Sequence, residues 1–90
     1  MGMIKILEEL VSAIECSDVY CDLQLNKRED GSMDIQFTHW DHIYPYDHRN
    51  IYFYSFYHEK SLEKKLELAL QVIEGKAMIK EGWKWVTYMI

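Results

Sequence analysis

The stretch VYCDLQLNKREDGSMDIQFT, residues 19–38, decides the fold. Val19, Cys21, Leu23 and Leu25 alternate with Tyr20, Asp22, Gln24 and Asn26, and Met33, Ile35 and Phe37 alternate with Asp34, Gln36 and Thr38. A repeat of two places successive side chains on opposite faces of a strand, so each run predicts a strand with one buried face. Between them lies Asp30-Gly31, the residue pair that accepts positive φ in a hairpin turn. The expectation is an antiparallel hairpin, its first strand over 18–26 and its second continuing from Met33 to Trp40.

Upstream, the period changes. MIKILEELVSAIE, residues 3–15, sets Met3, Leu7, Leu10, Val11 and Ile14 at helical spacing, with Lys5, Glu8, Glu9 and Glu15 toward solvent. Downstream, residues 50–57 form a third run rich in β-branched and aromatic side chains. Ile51, Phe53, Ser55 and Tyr57 fall on one face of it, and Tyr52, Tyr54 and Phe56 on the other. Helical spacing returns over 59–74 through Leu62, Leu66, Ala69, Leu70 and Ile73, and Gly75 stands where a left-handed cap ends a helix. The tail EGWKWVTYMI, residues 81–90, alternates as a fourth strand would, after a possible short helix over 76–81. The fold class expected is therefore α+β, in the order α-β-β-β-α(-β), with helices packed on one face of an antiparallel sheet.

Ninety residues support one core and so one domain, 1–90. No apolar run approaches the ~20 residues that span a bilayer, so the chain is expected to be cytoplasmic, without a membrane partner. Acidity is concentrated at one end: residues 1–57 hold ten Asp or Glu against four Lys or Arg, while residues 58–90 hold five against six. Binding to phosphate backbones draws on Lys and Arg, so this balance disfavours direct nucleic-acid binding and favours a protein partner with a basic surface.

All four histidines, the single proline and eight of thirteen aromatic residues fall in HWDHIYPYDHRNIYFYSFYH, residues 39–58. Two chemistries draw on residue types found there. Cys16, Cys21, His39 and His42 have a spacing loosely like a zinc site, but Cys21 belongs to the buried row of a strand, where a structural thiol is the better account. His39, Asp41, His42, Asp47 and His48 form the other set, which as a loop cluster would suit a metal-dependent hydrolase or nuclease. No nucleophile in a recognisable setting and no glycine-rich anion cradle accompanies it, so turn and loop roles are preferred, with no metal, cofactor or catalytic residue expected.

The strand facing also sends Tyr20, Trp40, Tyr52, Tyr54 and Phe56 to the side away from the helices, beside Asp22 and Asp34. Tyr and Trp combine broad apolar area with a polar tip and are enriched in interface hot spots. The expected partner-binding set is Tyr20, Asp22, Asp34, Trp40, Asp41, Asp47, Tyr52 and Tyr54; the alternative is that the aromatic tail, with Trp83, Trp85 and Tyr88, covers this face. In element order alone the chain resembles double-stranded RNA-binding domains, and Lys60, Lys64 and Lys65 lie near the start of the second helix. Glu59, Glu63 and Glu67 alternate with those lysines, which opposes contact with a duplex. The reading reached is a non-enzymatic acidic protein that binds and inhibits or regulates another protein. Inhibitors of host defence of the phage type (anti-CRISPR or anti-restriction, including nucleic-acid mimics) and nuclease immunity proteins are examples of that class. The alternatives are the metal-dependent hydrolase and a nucleic-acid-binding module.

Overall fold

The computed structural model describes residues 2–80. Helix α1 (Met3–Glu15) leads into strands β1 (Cys21–Lys27), β2 (Met33–Trp40) and β3 (His48–Tyr54), and helix α2 (Glu59–Ile73) follows. The three strands form one antiparallel sheet in the order β1-β2-β3. The α-β-β-β-α order stands as expected, in a small single α+β domain. The fourth strand expected over 81–90 lies outside the described residues, and residues 76–80 carry no helix.

Period two sets the facing. Leu23 pairs with Phe37 and Leu25 with Ile35 across β1 and β2, while Ile35 pairs with Phe53 and Phe37 with Ile51 across β2 and β3. Ile35, Phe37, Ile51 and Phe53 are all buried, against Met3, Ile6 and Leu10 of α1 and Leu62, Leu66, Ala69, Val72 and Ile73 of α2. Burying one such side chain fully contributes about 1.5–3 kcal/mol, so these central positions dominate the core.

The hairpin closes as its residues dictate. Gly31 has φ +89°, and the Asp30 carboxylate accepts the Ser32 N–H at 2.8 Å; hydrogen bonding from the Ser32 hydroxyl, and then from that N–H, holds the exposed carboxyl below the usual carboxylate range. Gly75, at φ +78°, ends α2 just past its Glu74 cap. At the other end of α2, His58 caps the helix, its Nδ1 accepting the Lys60 N–H at 3.2 Å.

Three boundaries or faces differ from expectation. β1 begins at Cys21 rather than residue 18, although the Tyr20 carbonyl still accepts the Trp40 N–H at 3.0 Å. β3 spans His48–Tyr54 rather than 50–57, because the loop before it is a tight turn and because Ser55, Phe56 and Tyr57 already turn toward α2. In α1 the core stripe is Met3, Ile6 and Leu10, whereas Val11 is exposed. Eight of the thirteen residues of α1 are apolar, so its hydrophobic arc is wider than its contact with the sheet, and spacing alone does not locate the centre of that arc.

Candidate protein-interaction surface

The face of the sheet away from the helices carries Asp22, Gln24 and Asn26 from β1, Asp34, Gln36, Thr38 and Trp40 from β2, and His48, Asn50, Tyr52 and Tyr54 from β3. Its middle is a polar ladder. Thr38 Oγ1 donates to Asn50 Oδ1 at 2.7 Å, and Asn50 Nδ2 donates to the Tyr52 hydroxyl at 3.1 Å. The aromatic side chains divide between the two ends.

At one end Tyr20 stacks on Trp40 with ring centroids 5.8 Å apart, and His48 lies against the other side of Trp40 at 4.8 Å. The indole is fixed by its Nε1–H, which donates to the Asp22 carboxylate at 2.6 Å. His48 is fixed too: its Nδ1 lies 3.0 Å from the Tyr46 carbonyl, which only accepts, so that nitrogen carries the proton. Tyr20 is 66% exposed, and Asp22 and Asp47 have no ion-pair partner among the described residues. Among the described residues this end presents an aromatic stack beside carboxylates that lack an ion-pair partner.

The adjoining loop, residues 41–47, is itself ordered by hydrogen bonds. The Asp41 N–H donates to the Asp47 carbonyl at 2.9 Å, the Asp41 carboxylate accepts the Ile43 N–H at 2.9 Å, and Asp47 takes a left-handed φ of +66°, which aspartate tolerates better than most residues. Ile43 and Tyr46 project from it into solvent.

At the other end Tyr52, Tyr54 and Phe56 form a ladder of near-parallel rings, with centroid spacings of 5.9 and 5.2 Å, and Tyr57 meets Tyr54 and Phe56 edge-on. Phe56 is 71% exposed. Arg28 lies over Tyr54 at 5.7 Å and pairs with Asp34 at 2.7 Å. Asp34 is only 5% exposed and also accepts from Asn26 Nδ2 at 3.0 Å, so its charge is matched within the chain. Asp34 is thus on the expected face but serves the sheet, whereas Asp22 and Asp47 have no ion-pair partner among the described residues.

The histidines disperse. His39 lies on the buried face opposite Cys21, His42 is on the solvent side of the loop, His48 is on the outer face and His58 caps α2. Among the described residues no group of three or more His, Cys, Asp or Glu is placed to hold a metal ion. Burial, assisted by neighbouring Asp22, pushes the Cys21 thiol up to about 11, in keeping with a structural thiol. Nor are the three lysines of α2 equivalent: Lys65 is buried with its ammonium 5.3 Å from the Tyr57 ring centre, whereas Lys60 and Lys64 are exposed.

Under the opposite face, His39 Nδ1 lies 2.8 Å from the Tyr44 hydroxyl, and that oxygen accepts the Ile79 N–H at 2.8 Å. Arg49 stands over the Tyr44 ring at 5.1 Å and donates to the Ile79 carbonyl at 2.9 Å. Burial lowers the His39 pKa against an opposing pull from Asp41, so the neutral ring is favoured. The node pins the segment after α2 to the loop and the end of the sheet. Sequence reasoning missed it, because Ile79 lies 35 residues from Tyr44 and no local pattern joins them.

Compared with family models, with curated proteins and with solved structures, the chain matches none. Function is therefore read from these surfaces. Among the described residues no helix is long and apolar enough to cross a membrane.

Proposed function

We propose that this chain is a non-enzymatic binding protein that inhibits or regulates another protein, and that it does so through the helix-free face of its sheet. The observation that carries the reading is the Tyr20–Trp40–His48 stack, exposed at Tyr20 and half-buried at Trp40 and His48, with its indole fixed by Asp22. An aromatic anchor already held in place loses little side-chain freedom on binding, which is the property of interface hot spots. Asp22, Asp41 and Asp47 lie at that same end and favour a partner with a basic surface. A nuclease is one such partner: carboxylates would stand where it expects phosphates, as in a nucleic-acid mimic of the anti-CRISPR or anti-restriction kind or a nuclease immunity protein.

The test is capture from lysate by immobilised wild-type chain and by Trp40→Ala, each first shown to be folded. A basic protein retained by the wild type, eluted by salt and lost with Trp40→Ala supports the proposal. Equal retention by both chains removes the outer face from consideration.

A further inference from the structure

The opposite flank of the domain presents a second surface. The Arg28 N–H donates to the Ser32 carbonyl and the Trp40 N–H to the Tyr20 carbonyl, so the even-numbered residues of β1 bond to β2. Cys21, Leu23, Leu25 and Lys27 therefore point their backbone N–H and C=O groups away from the sheet, along an edge that no strand among the described residues covers. An open edge is a template for another strand. The inner side chains of this edge are also incompletely covered: Leu25 is 42% exposed, whereas Ile51 and Phe53 on β3 are buried beneath the helices.

Helix α1 extends the same surface. Its Ala13 faces α2 across a cleft that Leu70 and Ile73 also line. Ile4, Leu7, Val11 and Ile14 recur at spacings of three and four on the side turned away from α2, with Ile4 54% and Val11 48% exposed; because α1 packs on β2 and α2 on β3, that side is the β1 side of the sheet. An open strand edge and an apolar helix stripe thus adjoin each other.

We infer that this flank binds a second copy of the chain, joining the two β1 strands antiparallel across a two-fold axis at Gln24, with the two α1 stripes facing each other above them. The sequence of β1 complements itself in that register. Leu23 lies opposite Leu25 of the second copy, so four leucines meet on the helix side of the sheet. On the other side the register sets Asp22 opposite Asn26 and, just beyond the strand, Tyr20 opposite Arg28, so no like charges are opposed, while the Asn26 amide and the Arg28 guanidinium stay on Asp34 of their own chain. The pairs Leu23–Leu25 and Cys21–Lys27 are the ones whose N–H and C=O groups point outward, so the ladder closes with matched donors and acceptors. The symmetry is isologous and leaves the outer aromatic face free in both copies.

Sedimentation equilibrium of the full chain at concentrations on the order of 100 μM, well above a ~1 μM dissociation constant, should give twice the chain mass. Leu25→Lys and Val11→Glu alter exposed side chains and should yield folded monomers, whereas Phe56→Ser on the far side should remain dimeric. Gln24→Cys places two thiols opposite each other in a non-hydrogen-bonded pair, with Cα atoms ~4.5 Å apart, and should form a 24–24 disulfide that peptide mapping identifies. A monomer at these concentrations overturns the inference. So does a dimer that survives Leu25→Lys without forming the 24–24 disulfide. Protection of the Leu23 and Leu25 amides that does not change on dilution to monomer would show that the chain covers its own edge, and would overturn it equally.

Discussion

Replacing Tyr44 by phenylalanine removes one oxygen and almost nothing else. The ring, and with it the Arg49 contact at 5.1 Å, remains. What disappears is the hydroxyl that bonds His39 at 2.8 Å and receives the buried Ile79 N–H at 2.8 Å. A typical intramolecular hydrogen bond contributes a net ~1 kcal/mol, but a buried donor left without an acceptor costs about 1–3 kcal/mol in lost solvation. The Ile79 N–H and the His39 ring both lose their partner, so the expected loss is about 3 kcal/mol, a large share of the 5–15 kcal/mol typical of a domain. For a domain of this size that corresponds to a fall in Tm of about 12–24 °C. Urea and thermal unfolding followed by circular dichroism give both numbers on one pair of proteins. A change below about 0.5 kcal/mol would refute the reasoning, since it would mean that the hydroxyl has no structural partners in solution.

The same node predicts a pH dependence. Because burial holds His39 below its ordinary value of 6.5, the unfolded chain takes up the proton first. Stability should be constant above that value with respect to this group, fall as pH drops through about 6.5, and level off below the folded pKa. His39→Gln should remove that part of the slope in unfolding measurements between pH 7 and 5, whatever its effect at neutral pH. Asp34→Asn should lower stability by about 1–3 kcal/mol through its pairing with Arg28 at 2.7 Å, yet leave association with a captured partner unchanged; slower association would return Asp34 to the recognition surface. Ile35→Asp should abolish cooperative unfolding, because Ile35 is fully buried at the centre of the sheet, and a wild-type melting curve would refute the strand facing.

Alternation made the sheet legible. Period two in 21–25 and 33–37 defines both faces without reference to anything distant, and the register pairs Leu23 with Phe37 and Ile35 with Phe53 as that alternation requires. The outer aromatic row follows from the same fact. His48 lies outside the β-branched and aromatic run that begins at residue 50, and extending the alternation Tyr52, Asn50 by one step places its ring beside Trp40. Asp34 escaped for a different reason. Its parity gives the face, but only the hairpin geometry that brings Arg28 back over Tyr54 decides whether its charge is spent inside the chain. The Tyr44–Ile79 bond and the burial of Lys65 depend wholly on tertiary packing, and neither leaves a local trace.

The central claim is that Trp40 anchors a partner on the helix-free face while the neighbouring carboxylates guide its approach. Binding kinetics of the captured protein to folded wild type, Trp40→Ala and Asp47→Asn, at low salt and at ~0.15 M where charges are screened beyond about 8 Å, test it most directly. Trp40→Ala should accelerate dissociation by an amount equivalent to ~2 kcal/mol or more. Asp47→Asn should instead slow association, by a margin that shrinks as salt is added. Wild-type rate constants for both variants would contradict the claim and direct attention to the acidic face of α1, with Glu8, Glu9 and Glu15.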